Sequence, residues 1–276
     1  KFYTDTIGID IAWVGAILLA VRMFDAFTDP LLGIVSDATT SSMGRRRPYI
    51  LWGSIGLAIA VAALFIPPHM TAQFSKIWFA VSVFLLFIFW TLVAVPYESL
   101  GPEITSDYDE RTSLFAVRDG LLIAGTLVAA SAPAAVRAML ESVGASSDER
   151  SIFLWITILY VPMLIGFCLW CVWRIQERRP PKVSTQLSTD RIRNLKGILR
   201  NRPFIILLVA FTISALGSNL PATLILYYVE YVLESTRAEL FLVLYFATGI
   251  IFLPAWIKLA ARFGKKETWL ASMVLN

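Results

Sequence analysis

Charge is what this chain has least of. Lys, Arg, Asp and Glu make up 16% of its 276 residues, while 57% are hydrophobic and the mean hydropathy is +0.69. Soluble domains carry about a quarter charged residues, so the deficit excludes an ordinary soluble fold and implies a polytopic membrane protein. Histidine occurs once, at His69, and cysteine twice, at Cys168 and Cys171, within one apolar run. Zinc would need two more ligands beside that CxxC, and His69 lies at the end of a different segment. The cysteines therefore read as small packing residues, and no transition-metal site can be built. The basic residues form no stripe with interleaved aromatics, which leaves nucleic-acid binding without support. No signal peptide is read at the start. Lys1-Phe-Tyr-Thr-Asp5 looks like the end of a helix, and Asn276 falls inside a fresh apolar run, so both ends look cut.

What is present is a series of charge-poor windows of membrane-spanning length. They run 11–35, 49–66, 77–102, 113–136, 152–173, 203–229 and 240–261, with another begun at Thr268 and a tail over residues 1–8. The expectation is an all-α bundle of seven complete spans and two partial ones. Alternate connections hold 16 basic residues on one side and 5 on the other, which assigns the richer set to the cytoplasm. The longest connection, residues 176–202, is basic, carries Pro180-Pro181 and divides the chain into bundles 1–175 and 203–276. Its stretch from Asp190 to Arg200 has Ile192, Leu195 and Leu199 at amphipathic spacing, as in a helix lying on the membrane surface. A basic loop between two sets of spans is the pattern of a two-bundle transporter.

The first span contains Arg22-Met-Phe-Asp25-Ala-Phe-Thr28-Asp29-Pro30 amid apolar and small residues. Twenty-five residues at the helical rise cover about 37 Å, which puts Arg22 near the midplane. Successive residues turn by about 100°, so Arg22, Asp25 and Asp29 share one face. Each ionised group at that depth costs at least about 2.5 kcal/mol unless it meets a cavity or a partner. A structural salt bridge from Arg22 is the plainer alternative. It neutralises only one of two carboxylates, and a cation between them is the simplest occupant of the face.

Other polar residues allow two readings each. Arg118 is either an interfacial arginine snorkelling to the cytoplasm or part of a cavity. Glu98 either completes that cavity or marks the inner interface. Thr91 usually would bond its own helix. Trp90, at mid-depth, can stack on a sugar ring or simply pack. Glu103, Asp107, Asp109 and Glu110 put acids in a cytoplasmic connection, against the positive-inside trend. They form either a solvated loop or a gate with Arg45, Arg46 and Arg47 that opens during transport.

Three segments carry a family resemblance: Arg22-x-x-Asp25-x-x-x-Asp29-Pro30-x-x-Gly33 running on to Ser36-Asp37 and Gly44-Arg-Arg-Arg-Pro48; Val95-Pro-Tyr-Glu-Ser-Leu-x-Pro-Glu-Ile-Thr105 with Asp107-Tyr-Asp-Glu-Arg-Thr112; and Leu253-Pro-x-Trp-x-x-Leu with Arg262-Phe-Gly-Lys-Lys266. Together they resemble the glycoside–pentoside–hexuronide:cation symporters, the melibiose-permease branch of the major facilitator superfamily. That resemblance implies a twelve-span bundle, of which this chain holds the end of helix I through the start of helix IX. It makes Asp25 and Asp29 ligands of a coupling Na⁺ or H⁺, with Thr28 and Thr91 beside them, and places Arg22, Arg118 and Trp90 at the solute cavity. Ala94 stands where sugar-binding members have an aspartate, and Glu98 replaces an aromatic. The solute is thus a sugar, or an amphipathic or anionic compound such as a lysophospholipid.

The expected function is cation-coupled symport by alternating access, with no cofactor beyond the coupling ion. The expected partners are the bilayer, a small solute and that cation, with no obligate protein partner. A bacterial chain of this kind would sit in the inner membrane. A non-transporting receptor of the same fold is the main rival. An intramembrane aspartyl protease would need carboxylates converging from different helices to share a proton, whereas both acids here lie on one.

Overall fold

The computed structural model describes residues 2–68, 71–105, 107–175, 177, 200–231 and 238–275. A short π-helical turn, Phe2–Thr6, leads to α1 (Ile11–Ala38), α2 (Arg47–Phe65), α3 (Ala72–Ile104), α4 (Tyr108–Ser142) and α5 (Glu149–Arg174). After the central connection come α6 (Arg202–Tyr231), α7 (Ala238–Phe263) and α8 (Lys265–Leu275). The seven complete expected spans fall on α1 to α7, Ile66 excepted, the last partial one falls on α8, and the tail expected over residues 1–8 contains the π-helical turn; no strand occurs among the described residues. The helices α1 to α5 are each long and apolar enough to cross a membrane. The amphipathic segment expected from Asp190 falls, up to residue 199, outside the described residues, as does most of the 176–202 connection.

Two compact units are present, Lys1–Arg111 with Ala129–Val183 and Thr112–Val128 with Ser184–Asn276. In the first, α2 packs on both α3 and α5, and α1 packs on α3. Lipid is as apolar as leucine, so helices associate there through close packing of small residues and polar contacts. The buried face of α2 follows that rule, with Gly53, Ser54, Gly56, Ala58 and Ala60. A Cβ on Gly53 would stand 2.9 Å from Val93 Cγ2, and one on Gly56 would collide with the Phe89 ring. One end of the unit is closed by Phe2, Tyr3, Ile9, Val21, Phe79 and Val83. There the Tyr3 hydroxyl donates to the Leu64 carbonyl at 2.7 Å. At the other end Ile50, Leu100 and Val172 join α2, α3 and α5. Large apolar residues such as Trp52, Ile59 and Leu159 face outward, as lipid contact requires.

Three helices start on an aspartate whose side chain satisfies first-turn N–H groups. Asp10 accepts from Ala12 N, Asp107 from the N–H groups of Asp109 and Glu110, and Asp148 from Ser151 N. By contrast, α2 begins on Arg46, whose side chain makes no capping bond. In the second unit α6 packs on α7 and α7 on α8, with Gly264 at φ +90° turning the last pair.

Candidate functional site

Asp25 is 9% exposed on α1, and its Oδ2 lies 3.8 Å from Arg22 Nη1. The other oxygen, Oδ1, is buried and has no hydrogen-bond partner among the described residues. Arg22 crosses to α3, where its guanidinium sits 4.7 Å from the Phe87 ring centroid. Its side chain stays 69% exposed, so most of its donors remain available. Thr28 spends its hydroxyl on its own helix, donating to the Phe24 and Asp25 carbonyls at 3.3 and 3.4 Å. Asp29 is exposed one turn beyond Asp25, and Pro30 next to it removes an N–H from the helical ladder.

Two contacts fix how α1 and α3, which run in the same direction, lie against each other. The Phe24 and Phe84 rings are 4.8 Å apart, and a Cβ on Gly33 would stand 3.9 Å from Val95 Cγ1. Interpolated between them, Asp29 is level with the Trp90–Thr91 step. Thr91 is buried, whereas Trp90 is 55% exposed. The interface thus collects a half-satisfied carboxylate, a second carboxylate one turn away and a buried hydroxyl residue at matching depth. A bare buried carboxylate oxygen in a span is costly, and a small cation or a proton relieves it.

Glu98 is exposed on α3, two turns past Thr91 toward Glu103. Arg118 is engaged on its own helix: its Nε donates to Asp119 Oδ1 at 2.9 Å, and its guanidinium rides 4.7 Å from the Phe115 ring centroid. Arg118 belongs to the second unit, whereas Arg22, Asp25, Asp29, Trp90, Thr91 and Glu98 belong to the first.

A polar network occupies the end of the first unit where α1 stops and α2 starts. Arg46 is buried, and its Nη2 lies 2.9 Å from Asp37 Oδ1 and 3.1 Å from Glu103 Oε1. Its Nη1 donates to the Ser99 carbonyl. Arg45 Nη2 reaches the same Glu103 oxygen at 2.5 Å. One arginine therefore staples the end of α1 to the end of α3. Arg47 donates from Nη1 to the Met43 carbonyl at 3.2 Å and forms no ion pair among the described residues.

Of the four acids expected opposite these arginines, Glu103 arrives. Asp107 is committed to capping α4, and those two backbone bonds hold its carboxyl below the usual carboxylate range. Glu110 accepts from Thr105 Oγ1 at 2.6 Å. The Asp109 N–H donates to Asp107 at 2.9 Å.

Two partners escaped the sequence reading. Asp37 lies just before the turn, nine residues from Arg46, and its signals were that proximity and its place in the first resembling segment, which gave it no partner. Glu177 had weaker warning still, an isolated acid in a basic run; its carboxylate accepts from the backbone N–H groups of Arg45, Arg46 and Arg47.

Elsewhere, a groove of about 530 Å³ is lined by Met43, Arg47, Leu51, Leu169, Trp170 and Trp173 among others. It lacks converging polar groups, so it has the composition of a lipid-facing cleft rather than a solute site.

Known proteins resemble this chain along its length. A family model described as MFS/sugar transport protein matches residues 1–276. The chain is 29% identical over 282 residues to a Salmonella typhimurium protein named as a candidate sulfoquinovose importer, covering 100% of this chain and 58% of that one. It is 28% identical over 276 residues to the isoprimeverose transporter of Lactiplantibacillus pentosus, covering 99% and 57%. It is also 32% identical over 256 residues to YagG of Escherichia coli, named as a candidate glycoside/cation symporter, covering 91% and 53%. The chain thus spans between 53% and 58% of the length of these relatives.

Proposed function

The chain belongs to the MFS/sugar transport protein family, an integral multi-pass membrane family, and on that footing we propose that it forms part of a cation-coupled symporter for a sugar or glycoside. The observation that carries the coupling is the buried, unpartnered Oδ1 of Asp25. Na⁺ or H⁺ arriving there, with Asp29 one turn away and Thr91 on α3, removes the cost of the bare oxygen. The ion then favours whichever state also holds solute, because a ligand shifts an equilibrium only by its differential affinity for the two states. Arg22, with most of its guanidinium exposed, Trp90 and Glu98 are the solute-facing residues of the first unit. Arg45, Arg46, Asp37 and Glu103 hold the cytoplasmic ends of α1 and α3 at a fixed spacing while the ion binds above them.

A narrower reading concerns the solute's charge. Arg22 offers free donors beside a site without the aspartate that Ala94 displaces, and one relative is named for sulfoquinovose, a sulfonated sugar. Both favour an anionic sugar over a neutral galactoside. The test is uptake by the full-length protein in proteoliposomes under imposed Na⁺ or H⁺ gradients. The panel would include neutral glycosides, uronates, a sulfonated sugar and a lysophospholipid. Gradient-driven uptake lost in both Asp25→Asn and Asp29→Asn is the expected result. Uptake indifferent to either gradient, or binding of solute with no linked cation binding in calorimetry, would refute symport and leave a receptor of the same fold.

A further inference from the structure

We infer that Glu177 is a positioning residue that sets the α1–α2 turn from the end of α5, and through that turn holds Arg46 in place as the staple between α1 and α3. Its Oε2 accepts from Arg45 N at 2.6 Å, and its Oε1 from Arg46 N at 2.9 Å and Arg47 N at 2.8 Å. A carboxylate receiving three backbone N–H groups at a helix start does what an N-cap side chain does, with the added benefit of the helix dipole. Here the acid comes from 130 residues further along the chain than Arg47. That replaces the local cap which α2 lacks, since Arg46 occupies the cap position without a side-chain bond.

Gly44 is shaped to this contact twice over. Its φ of +115° lies where L side chains are strained, and a Cβ on it would stand 2.8 Å from the Glu177 carboxyl carbon. Only glycine admits the carboxylate. With the three N–H groups turned to Glu177, the Arg46 side chain is buried and directed onto Asp37, Ser99 and Glu103. A second arginine, Arg45, converges on the same Glu103 oxygen. The order of dependence is therefore α5 end, turn, staple, then the spacing of α1 and α3. For transport this rests on the symport reading above; the clasp itself is independent of it.

Residue-resolved hydrogen exchange on the full-length protein tests the clasp without any transport assay. Glu177→Ala should speed exchange of the Arg45, Arg46 and Arg47 amides at least tenfold. The isosteric Glu177→Gln is the sharper variant and guards against a folding failure. Its amide oxygen can keep the two bonds made by Oε1, while its NH₂ would face Arg45 N–H donor to donor. Exchange should then rise at Arg45 more than at Arg46 and Arg47. Unchanged exchange at all three positions in both variants would overturn the clasp.

The second arm is gradient-driven uptake in Glu177→Ala, Arg46→Ala and the double variant. If Glu177 acts through Arg46, the double variant is no slower than Arg46→Ala alone. Additive losses would overturn the link to Arg46 even if the amides respond. Amides that respond in a protein that carries no solute would sink the symport reading and leave the clasp standing.

Discussion

Asp25→Asn and Arg22→Gln, made separately in the full-length protein, should move cation affinity in opposite directions. Asp25 is the buried member of the acid pair, and its free Oδ1 is the oxygen assigned to the ion. Two unit charges about 4 Å apart at an effective dielectric of about 20 interact by about 4 kcal/mol. Part of that remains after the substitution, because Asp29 still attracts the ion. A loss of about 2.7 kcal/mol, or about a hundredfold in Kd, is the expected size. Arg22 is a rival cation, 3.8 Å from the other Asp25 oxygen. At about 6 Å from a bound ion, its repulsion depends on how well water screens it. A side chain 69% exposed warrants an effective dielectric near 40, which gives about 1.4 kcal/mol and about a tenfold gain in affinity for Arg22→Gln. The assay is titration of Na⁺, and separately of protons, against the purified protein by calorimetry without solute. Wild-type affinity in Asp25→Asn, or a tenfold weakening in Arg22→Gln, would refute the assignment of Oδ1 to the ion. The second outcome would instead make Arg22 a structural tie.

Arg46→Ala strips the staple from Asp37 and Glu103. Breaking such a pair costs about 3–5 kcal/mol when fully buried, and the partial exposure of both acids reduces this to about 2 kcal/mol, read as a lower midpoint in detergent unfolding. Gly53→Ala forces a methyl against Val93 and Leu92, with an overpacking cost of about 1–3 kcal/mol. Unfolding measurements on Gly53→Ala with and without Val93→Ala check that it is steric, since the smaller partner should restore stability. Asp148 lies outside the spans, and hydrogen bonds from Ser146 and Ser151 pull its carboxyl down to about 2. A depressed folded value stabilises α5 above the usual carboxylate range, near 3.9. That contribution fades as pH falls toward 2, so protection of the α5 first-turn amides, taken against intrinsic exchange at each pH, should drop over that interval in wild type and much less in Asp148→Asn.

The helices were legible because each span is a long run whose interruptions are few and chemically loud. The third helix begins at Ala72 rather than near Ile77, since Ser75 and Lys76 are polar residues in its first turns that hydropathy alone assigns to a connection. The acid pair on α1 was legible for the same reason, as charge in a span stands out against its surroundings. Which acid is buried was not: Asp25 and Asp29 are equivalent in periodicity, and only the packing of α3 separates them. The arginine cluster and its candidate partner Glu103 were visible, but Asp37 and Glu177 were not. Asp107 and Glu110 looked available because sequence shows charge and hides capping geometry. Glu177 approaches from the start of the central connection, 130 residues beyond Arg47, and no local pattern reports a contact across that separation.

The ion pair on α1 and the Arg46 staple act on the same two helices at different depths. From Asp25 to Asp37 is twelve residues, and so is the step from Thr91 to Glu103, each about 18 Å at the helical rise. Helix contacts in lipid have no bulk hydrophobic drive, so a few polar ties and small-residue contacts decide how two spans slide or tilt. The staple pins one end of α1 against α3, and Gly33 lets the two approach between the pin and the acids. If a cation draws Asp25, Asp29 and the Thr91 level together as proposed, it works against a fixed end. Its binding energy would then go into a change of angle rather than a loose translation. Cutting the staple should consequently leave cation affinity within about threefold of wild type, well short of the tenfold that 1.4 kcal/mol gives, while uptake falls by more. Equal losses in both would mean that the inner end shapes the ion site itself instead of serving as its pivot.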